Sequence, residues 1–389
     1  MIGLKVVGII AEYNPFHHGH AYQLTQVKKT YQPDVLIVVM SGNVVQRGEF
    51  AILDKWQRAQ IALNHGVDLI VELPLLASLQ SADYFAKESI QLLSRLQCQR
   101  VIFGTEEAQT KELAQLHHWT ERNRECIDGM IQNYLKKGHS YAYAYQATLD
   151  SLQAPLTFNA SMSNHILGLQ YICWNEQLDH PMTLDALPRV KKFEDQWVLS
   201  GSQIRSLWHS NQLEKEQVPL ETWEILQHSA TVDWSHYWPF LQYRLLSDSN
   251  DSLQEIVGMK EGIERRLKEY AFSFTFNEFI DQLTSKRWSK ASLQRICMAT
   301  LLNLTKASWQ REKEKQNQHT VARVLGFNDR GRLYLNRLKK EKQLALFTNL
   351  NRSLEPYYQL MLQTDRIYQL NNYAKLNEQI IGRYGIYKT

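Results

Sequence analysis

Apolar residues gather in four short runs about thirty residues apart: Val6–Ala11, Val35–Met40, Asp68–Leu73 and Val101–Phe103. Amphipathic stretches lie between them, at Ala21–Thr30, Asp54–Asn64 and Ser81–Leu96. Strand-length runs alternating with helical periodicity predict βαβ units and a parallel sheet. Right-handed crossovers bring the C-terminal ends of such strands to one edge, where open α/β sheets bind ligands. The residues following each run are therefore the ones to inspect.

The first run, Val6 to Ala11, ends in Glu12-Tyr13-Asn14-Pro15-Phe16-His17-His18-Gly19-His20. Pro15 stops the strand and biases Asn14 to an extended conformation. A helix is expected to start near Gly19, which brings His17 and His20 to its N-terminus. Unpaired N–H groups and a partial positive charge there suit a phosphate. Gly19 lets a ligand approach the backbone, and imidazole N–H groups can follow charge growing on a phosphate. A zinc site on His-x-x-His is the competing reading. No Glu or Cys at a useful spacing completes it, so no metal ligand is expected.

After the second run comes Ser41-Gly42-Asn43-Val44-Val45-Gln46-Arg47-Gly48-Glu49, a loop suited to wrapping a substrate, with Lys55 and Arg58 on the next helix. A solvated helix face explains those two cations equally well. Pro74 ends the third run, and Gly104 follows the fourth, where it could let an adenine or ribose lie against the chain. Residues 106–150 read as a helical insertion packing on the core; its Tyr141, Tyr143 and Tyr145 are not expected to form a base-stacking platform. In the stretch Phe158–Leu169, Ser163 is a good N-cap and Asn164 opens a helix, where its amide can hold ribose or phosphate oxygens. Met182–Val190 reads as a further strand with Arg189 at its end. Ser200-Gly201-Ser202-Gln203-Ile204-Arg205 then forms a second anion-binding turn.

From about Leu213 onward strand signals vanish, and helical periodicity runs over Leu253–Leu283 and Ser292–Leu304. Dense mixed charge at 253–270 reads as a solvated face. Lys286-Arg287-Trp288-Ser289-Lys290-Ala291-Ser292-Leu293-Gln294-Arg295 holds four cations and no acid. An indole among cations can stack on a base while they neutralise phosphate; a basic helix cap over a buried tryptophan fits the same letters. Val324–Gly331 reads as a turn, with Arg332, Arg337, Lys339 and Lys340 after it as a second basic candidate.

Composition sets bounds on this picture. At 389 residues and 44% apolar, the chain can fill two domains. No stretch is apolar for the ~18 residues a membrane helix needs, and the N-terminus does not read as a signal peptide. Cys98, Cys126, Cys173 and Cys297 are far apart and read as reduced residues of a cytoplasmic protein. A net charge of +4 permits an RNA partner without demanding one.

Strand, turn and His-x-Gly-His resemble the signature of the nucleotidyltransferase superfamily with the HIGH motif, whose members bind ATP at this turn and attack its α-phosphate. Ser200–Arg205 resembles that superfamily's second phosphate-binding motif, which would put Ser200, Ser202 and Arg205 on the pyrophosphate portion of ATP. Val-Gly-Ile-Ile-Ala-Glu-Tyr-Asn-Pro-Phe-His-His-Gly-His, Met-Ser-Gly-Asn-Val-Val-Gln-Arg-Gly-Glu, Val-Asp-Leu-Ile-Val-Glu-Leu-Pro, Ser-Asn-His-Ile-Leu-Gly and Thr-Ser-Lys-Arg-Trp-Ser together resemble the bacterial tRNA(Met) cytidine acetate ligase family. That resemblance runs in order from residue 5 to about residue 335. Two departures stand out: His18 where the family usually has Asn, and Lys191–Asp195 where it often has Gly-Tyr-His-Asp.

The resemblance implies a Rossmann-like ATP-binding catalytic domain at 1–212 and a mainly helical tRNA-binding domain at 213–389. It implies ATP contacts at Ile10, Ala11, Glu12, Tyr13, Asn14, Pro15, Phe16, His17, Gly19, His20, Gly104, Asn164 and Arg189. His17 and His20 would be catalytic, and Lys286, Arg287, Trp288, Lys290 and Arg295 would touch tRNA. The implied reaction activates acetate with ATP, accompanied by Mg2+, to acetyl-adenylate. The acetyl group then passes to the wobble cytidine of elongator tRNA(Met). Acetate would be held by Gln46 or Arg47. A small-molecule adenylyltransferase is the alternative, but it leaves the basic helical half unexplained. An RNA-binding protein with a decayed nucleotide fold is a third reading, against which the intact His17, Gly19, His20 and Arg205 stand.

Overall fold

A computed structural model describes residues 4–107, 109–156, 163–190, 192–193, 195–318, 321–341, 344–350, 354, 358–371 and 384–389. Residues 158–162 of the stretch read before Asn164, and Lys191 and Glu194, lie outside the described residues. Eight strands form the main sheet: β1 Val6–Ala11, β2 Val35–Ser41, β3 Leu69–Leu73, β4 Arg100–Thr105, β5 Thr183–Pro188, β6 Val321–Asn328, β7 Ala345–Phe347 and β8 Ile386–Lys388. Their order is β7-β6-β3-β2-β1-β4-β5, with β8 also paired to β6. The stretch from β3 to β5 is parallel throughout.

The four apolar runs are β1 to β4, as their periodicity predicts. Alternation along them sorts side chains to two faces. Val6, Val35, Ile37, Val39 and Val71 enter the core on one side. Val7, Ile9, Leu36, Val38, Met40 and Ile70 enter the core on the other. Helices α1 His18–Tyr31, α2 Lys55–Asn64 and α3 Ala82–Arg95 cover these faces, and Asp54 caps α2 through the Gln57 N–H. From β1 the chain passes to β2 on one side, and β4 lies on the other. The strand order therefore reverses at β1/β4, the crevice where such sheets bind ligands.

The insertion is three helices, Thr110–Arg122, Arg124–Lys136 and Tyr141–Ser151. Leu116 and Leu149 pack it on Leu169 of helix α4, Ser163–Glu176, while Tyr141 and Tyr143 stay exposed.

The second half departs from expectation in two ways. The periodic run 253–283 is three short helices, Asn250–Gln254, Ile263–Glu269 and Phe276–Leu283. Gly258 and Gly262 between them adopt φ of 86° and 75°, which breaks the helix. The Val324–Gly331 segment is not a turn. Residues up to Asn328 belong to β6, antiparallel to β3, and a helix Asp329–Glu341 follows at once. The chain beyond residue 212 thus returns three strands to the sheet, and its helices build a separate apolar core around Trp238, Phe279, Leu293 and Leu302.

Candidate active site

A cleft of about 490 Å³ opens at the C-terminal edge of β1, β4 and β5. Ile10 to Pro15, His17, Gly19 and His20 line one wall; Gly104, Asn164, Arg189, Ser200, Ser202 and Arg205 complete it. Gln46, Arg47 and Glu49 of the hairpin after β2 form its rim. Of the residues expected at ATP, Phe16 alone does not line it. Its ring is fully buried, stacked on His65 at 4.5 Å and against Tyr13, so it supports the turn from beneath.

Helix α1 begins at His18 with His17 as N-cap, one residue earlier than expected. The His17 backbone N–H donates to His20 Nδ1 at 3.2 Å. Nδ1 is therefore an unprotonated acceptor, and a neutral His20 must carry its proton on Nε2. Burial, the neighbouring imidazole and Arg189 hold His20 well below the ordinary histidine range. Burial, reinforced by Arg189 and His18, pushes His17 down to about 3. Both rings are neutral at pH 7: hydrogen-bond donors, not cations. The buried His17 Nδ1 has no partner among the described residues, as expected of an atom placed to meet a ligand.

Two phosphate-type turns meet here. Arg205 Nη1 donates to the Asn14 carbonyl at 2.6 Å, and its Nη2 pairs with Glu49 at 2.6 Å. A Cβ on Gly201 would stand 2.7 Å from the Asn14 carbonyl, so only glycine lets the turns approach this closely. A Cβ on Gly104 would meet nothing within 4 Å; that side of the strand faces the cleft.

Three supporting roles escaped the sequence reading, those of Glu106, Glu49 and Arg58. Glu106 accepts from the Asn164 N–H at 3.0 Å and its Nδ2 at 2.8 Å, and from the His165 N–H at 3.0 Å. It caps α4 and fixes the Asn164 amide. Glu49 clamps Arg205, as above. Arg58 is fully buried and donates to the carbonyls of Leu53, Glu12, Ser41 and Gly42, tying the ends of β1 and β2 together. Arg58 and Lys55 thus lie on neither a solvated face nor the cleft wall. Lys55 is buried at 2.7 Å from both Glu72 and Asp365. Nothing local in the sequence marked these partners.

The basic segment of the second half is divided. Lys286, Arg287 and Lys290 are exposed, Arg287 paired with Glu261 at 2.6 Å and Lys290 with Asp281 at 3.6 Å. Arg295 is half-buried and reaches the Gln46 carbonyl at 3.4 Å. Trp288 corrects the expectation of a stacking indole: it is 5% exposed in the helical core, its ring beneath Lys260. Burying the indole in the core outweighs leaving it open to a base.

The chain matches the family model described as HIGH Nucleotidyl Transferase over residues 4–381. It is 36% identical to the tRNA(Met) cytidine acetate ligase of Lactiplantibacillus plantarum, with 95% of each chain covered. It is also 36% identical to that of Anoxybacillus flavithermus, with 94% of each covered. Among solved structures, Thermotoga maritima TmcAL bound with alpha-thio ATP superposes with a TM-score of 0.84 at 26% identity, covering 99% of both chains. Matched end to end in sequence and fold, the chain belongs to the tRNA(Met) cytidine acetate ligase family of HIGH nucleotidyl transferases.

Proposed function

We propose that this chain is an ATP-dependent tRNA(Met) cytidine acetate ligase. An acetate oxygen attacks the α-phosphorus of ATP, pyrophosphate leaves, and the wobble cytidine amine of elongator tRNA(Met) takes the acetyl group to give N4-acetylcytidine. The observation that carries this reading is the meeting of both phosphate-type turns in one cleft, bridged by Arg205, in a chain related end to end to ligases of that name.

In this reading His20 Nε2–H, together with His17 and the N–H groups of α1, donates to the α-phosphate as charge builds on it. Ser200, Ser202 and Arg205 hold the departing pyrophosphate, and Arg189 and Asn164 hold the nucleotide. Arg47 or Gln46 at the rim receives acetate. Lys286, Arg287 and Lys290 on the helical part take tRNA phosphates in the cytoplasm. Among the described residues no helix is long and apolar enough to cross a membrane. None of their His, Cys, Asp or Glu side chains gather in threes to cage a metal. Mg2+ would enter on the triphosphate's own oxygens and neutralise part of their charge.

The test is incubation with ATP, labelled acetate and bulk bacterial tRNA, followed by nucleoside analysis. Label in N4-acetylcytidine is the expected result. Label absent from tRNA, with adenylation of a small-molecule acceptor, would favour the adenylyltransferase alternative.

A further inference from the structure

The two chemical steps differ in their need for a base. Acetate attacks as an anion and has no proton to lose. An exocyclic cytidine amine is a weak nucleophile, its lone pair drawn into the ring, and it must shed a proton as the C–N bond forms. A proton acceptor is therefore needed in the second step only.

The cleft holds two carboxylates, Glu12 and Glu49. Glu49 is committed to an ion pair: its Oε1 meets Arg205 at 2.6 Å and accepts from Asn14 Nδ2 at 3.3 Å. Glu12 follows β1 directly. Its Oε1 is fixed by the Gln46 N–H at 2.7 Å, and among the described residues nothing bonds its other oxygen. The two imidazoles are poor candidates, since burial makes them very weak bases. Burial acts on Glu12 in the opposite sense and raises its pKa, with Glu49 adding to the rise. The Gln46 N–H, Arg47 and Arg205 oppose that rise, and Arg58 and the raised Tyr171 hydroxyl also face Glu12. A carboxylate so placed is a better proton acceptor than one in water.

We propose that Glu12 is the catalytic base of acetyl transfer, a role resting on the ligase reading above. The cytidine N4 attacks the acetyl carbonyl carbon of acetyl-adenylate, forming the C–N bond. The bond from that carbon to the AMP phosphate oxygen breaks, AMP leaves with the electron pair, and the N4 proton passes to the free oxygen of Glu12. The hairpin that fixes Glu12 also leans on the helical half. The Gln46 carbonyl receives the Arg295 side chain, and a Cβ on Gly48 would collide with the Arg295 backbone nitrogen.

The experiment measures the half-reactions separately in E12Q and E12D. One assay is acetate-dependent ATP–pyrophosphate exchange; the other is single-turnover acetyl transfer to tRNA from acetyl-adenylate preformed on the enzyme. Glu12→Gln should slow transfer about 100-fold more than it slows exchange. Glu12→Asp should recover part of the loss. The wild-type transfer rate should rise with pH to a plateau, a limb missing in Glu12→Gln. Equal losses in both half-reactions, or transfer at the wild-type rate, would overturn the inference and leave the ligase reading standing. A wild-type protein without acetate-dependent exchange would overturn both.

Discussion

The imidazole rings of His17 and His20 lie face to face, 3.6 Å between centroids and 16° from parallel. Two protonated rings cannot share that contact, and burial already disfavours one charge. A neutral stacked pair gives the turn a fixed donor at His20 Nε2 without a standing positive charge, so in the proposed reaction the attraction for phosphate comes from the helix end and the surrounding arginines.

That pairing ties stability to pH. His17 is displaced from 6.5 in the unfolded chain down to about 3 in the fold. Between those values the unfolded state binds more protons, so stability rises with pH through the window and is lost as pH falls below 6.5. Taking the fold from pH 7 to pH 5 should cost about 2 kcal/mol through His17 alone. Denaturant titrations at the two pH values check this, and the His17→Asn, His20→Asn double variant should show a flatter dependence. An unchanged slope would place the pH sensitivity elsewhere.

Gly104 separates binding from folding. A Cβ there meets no protein atom within 4 Å. Gly104→Val should leave the melting temperature within about 3 °C of wild type, while weakening ATP binding at least about tenfold. Calorimetric titration alongside thermal unfolding reads both; wild-type ATP affinity would show that the nucleotide does not cross this strand.

Arg58 is a strut. Replacing it with Met strands the buried carbonyls of Leu53, Ser41 and Gly42 and the partly buried one of Glu12. The expected loss is about 3–5 kcal/mol in equilibrium denaturation. A loss below about 1 kcal/mol would mean that water replaces the guanidinium without strain.

The basic face and its tryptophan should behave oppositely. Lys286→Ala with Arg287→Ala should weaken tRNA binding and lower the slope of log affinity against log salt by about 1–2, with little effect on stability. Trp288→Ala should destabilise the helical core by about 3–5 kcal/mol. Filter binding across a salt series and denaturation of each variant distinguish them. If Trp288→Ala kept full stability and lost RNA affinity, the buried position of the ring would be contradicted.

The sheet was legible because β1 to β4 are near-continuous apolar runs, buried on both faces, about thirty residues apart with amphipathic stretches between them. The cleft was legible because the residues that line it cluster at strand ends, so His17, Gly104 and Arg189 converge once the strand order is known. Strand β6 was misread because Gly326-Phe327-Asn328-Asp329 carries turn chemistry. Its pairing with β3 joins residues more than two hundred positions apart and overrides that local preference. Trp288 was misread because four neighbouring cations describe the surface of the segment and say nothing of which way the indole points. Lys55 meets Asp365 across 310 residues, a relation that no local pattern encodes.

The most direct measurement is a crystal structure with a non-hydrolysable ATP analogue. The account predicts the α-phosphate within hydrogen-bonding distance of His20 Nε2 and the outer phosphates at Ser200, Ser202 and Arg205. A nucleotide bound with its phosphates away from the His17–His20 turn would contradict it.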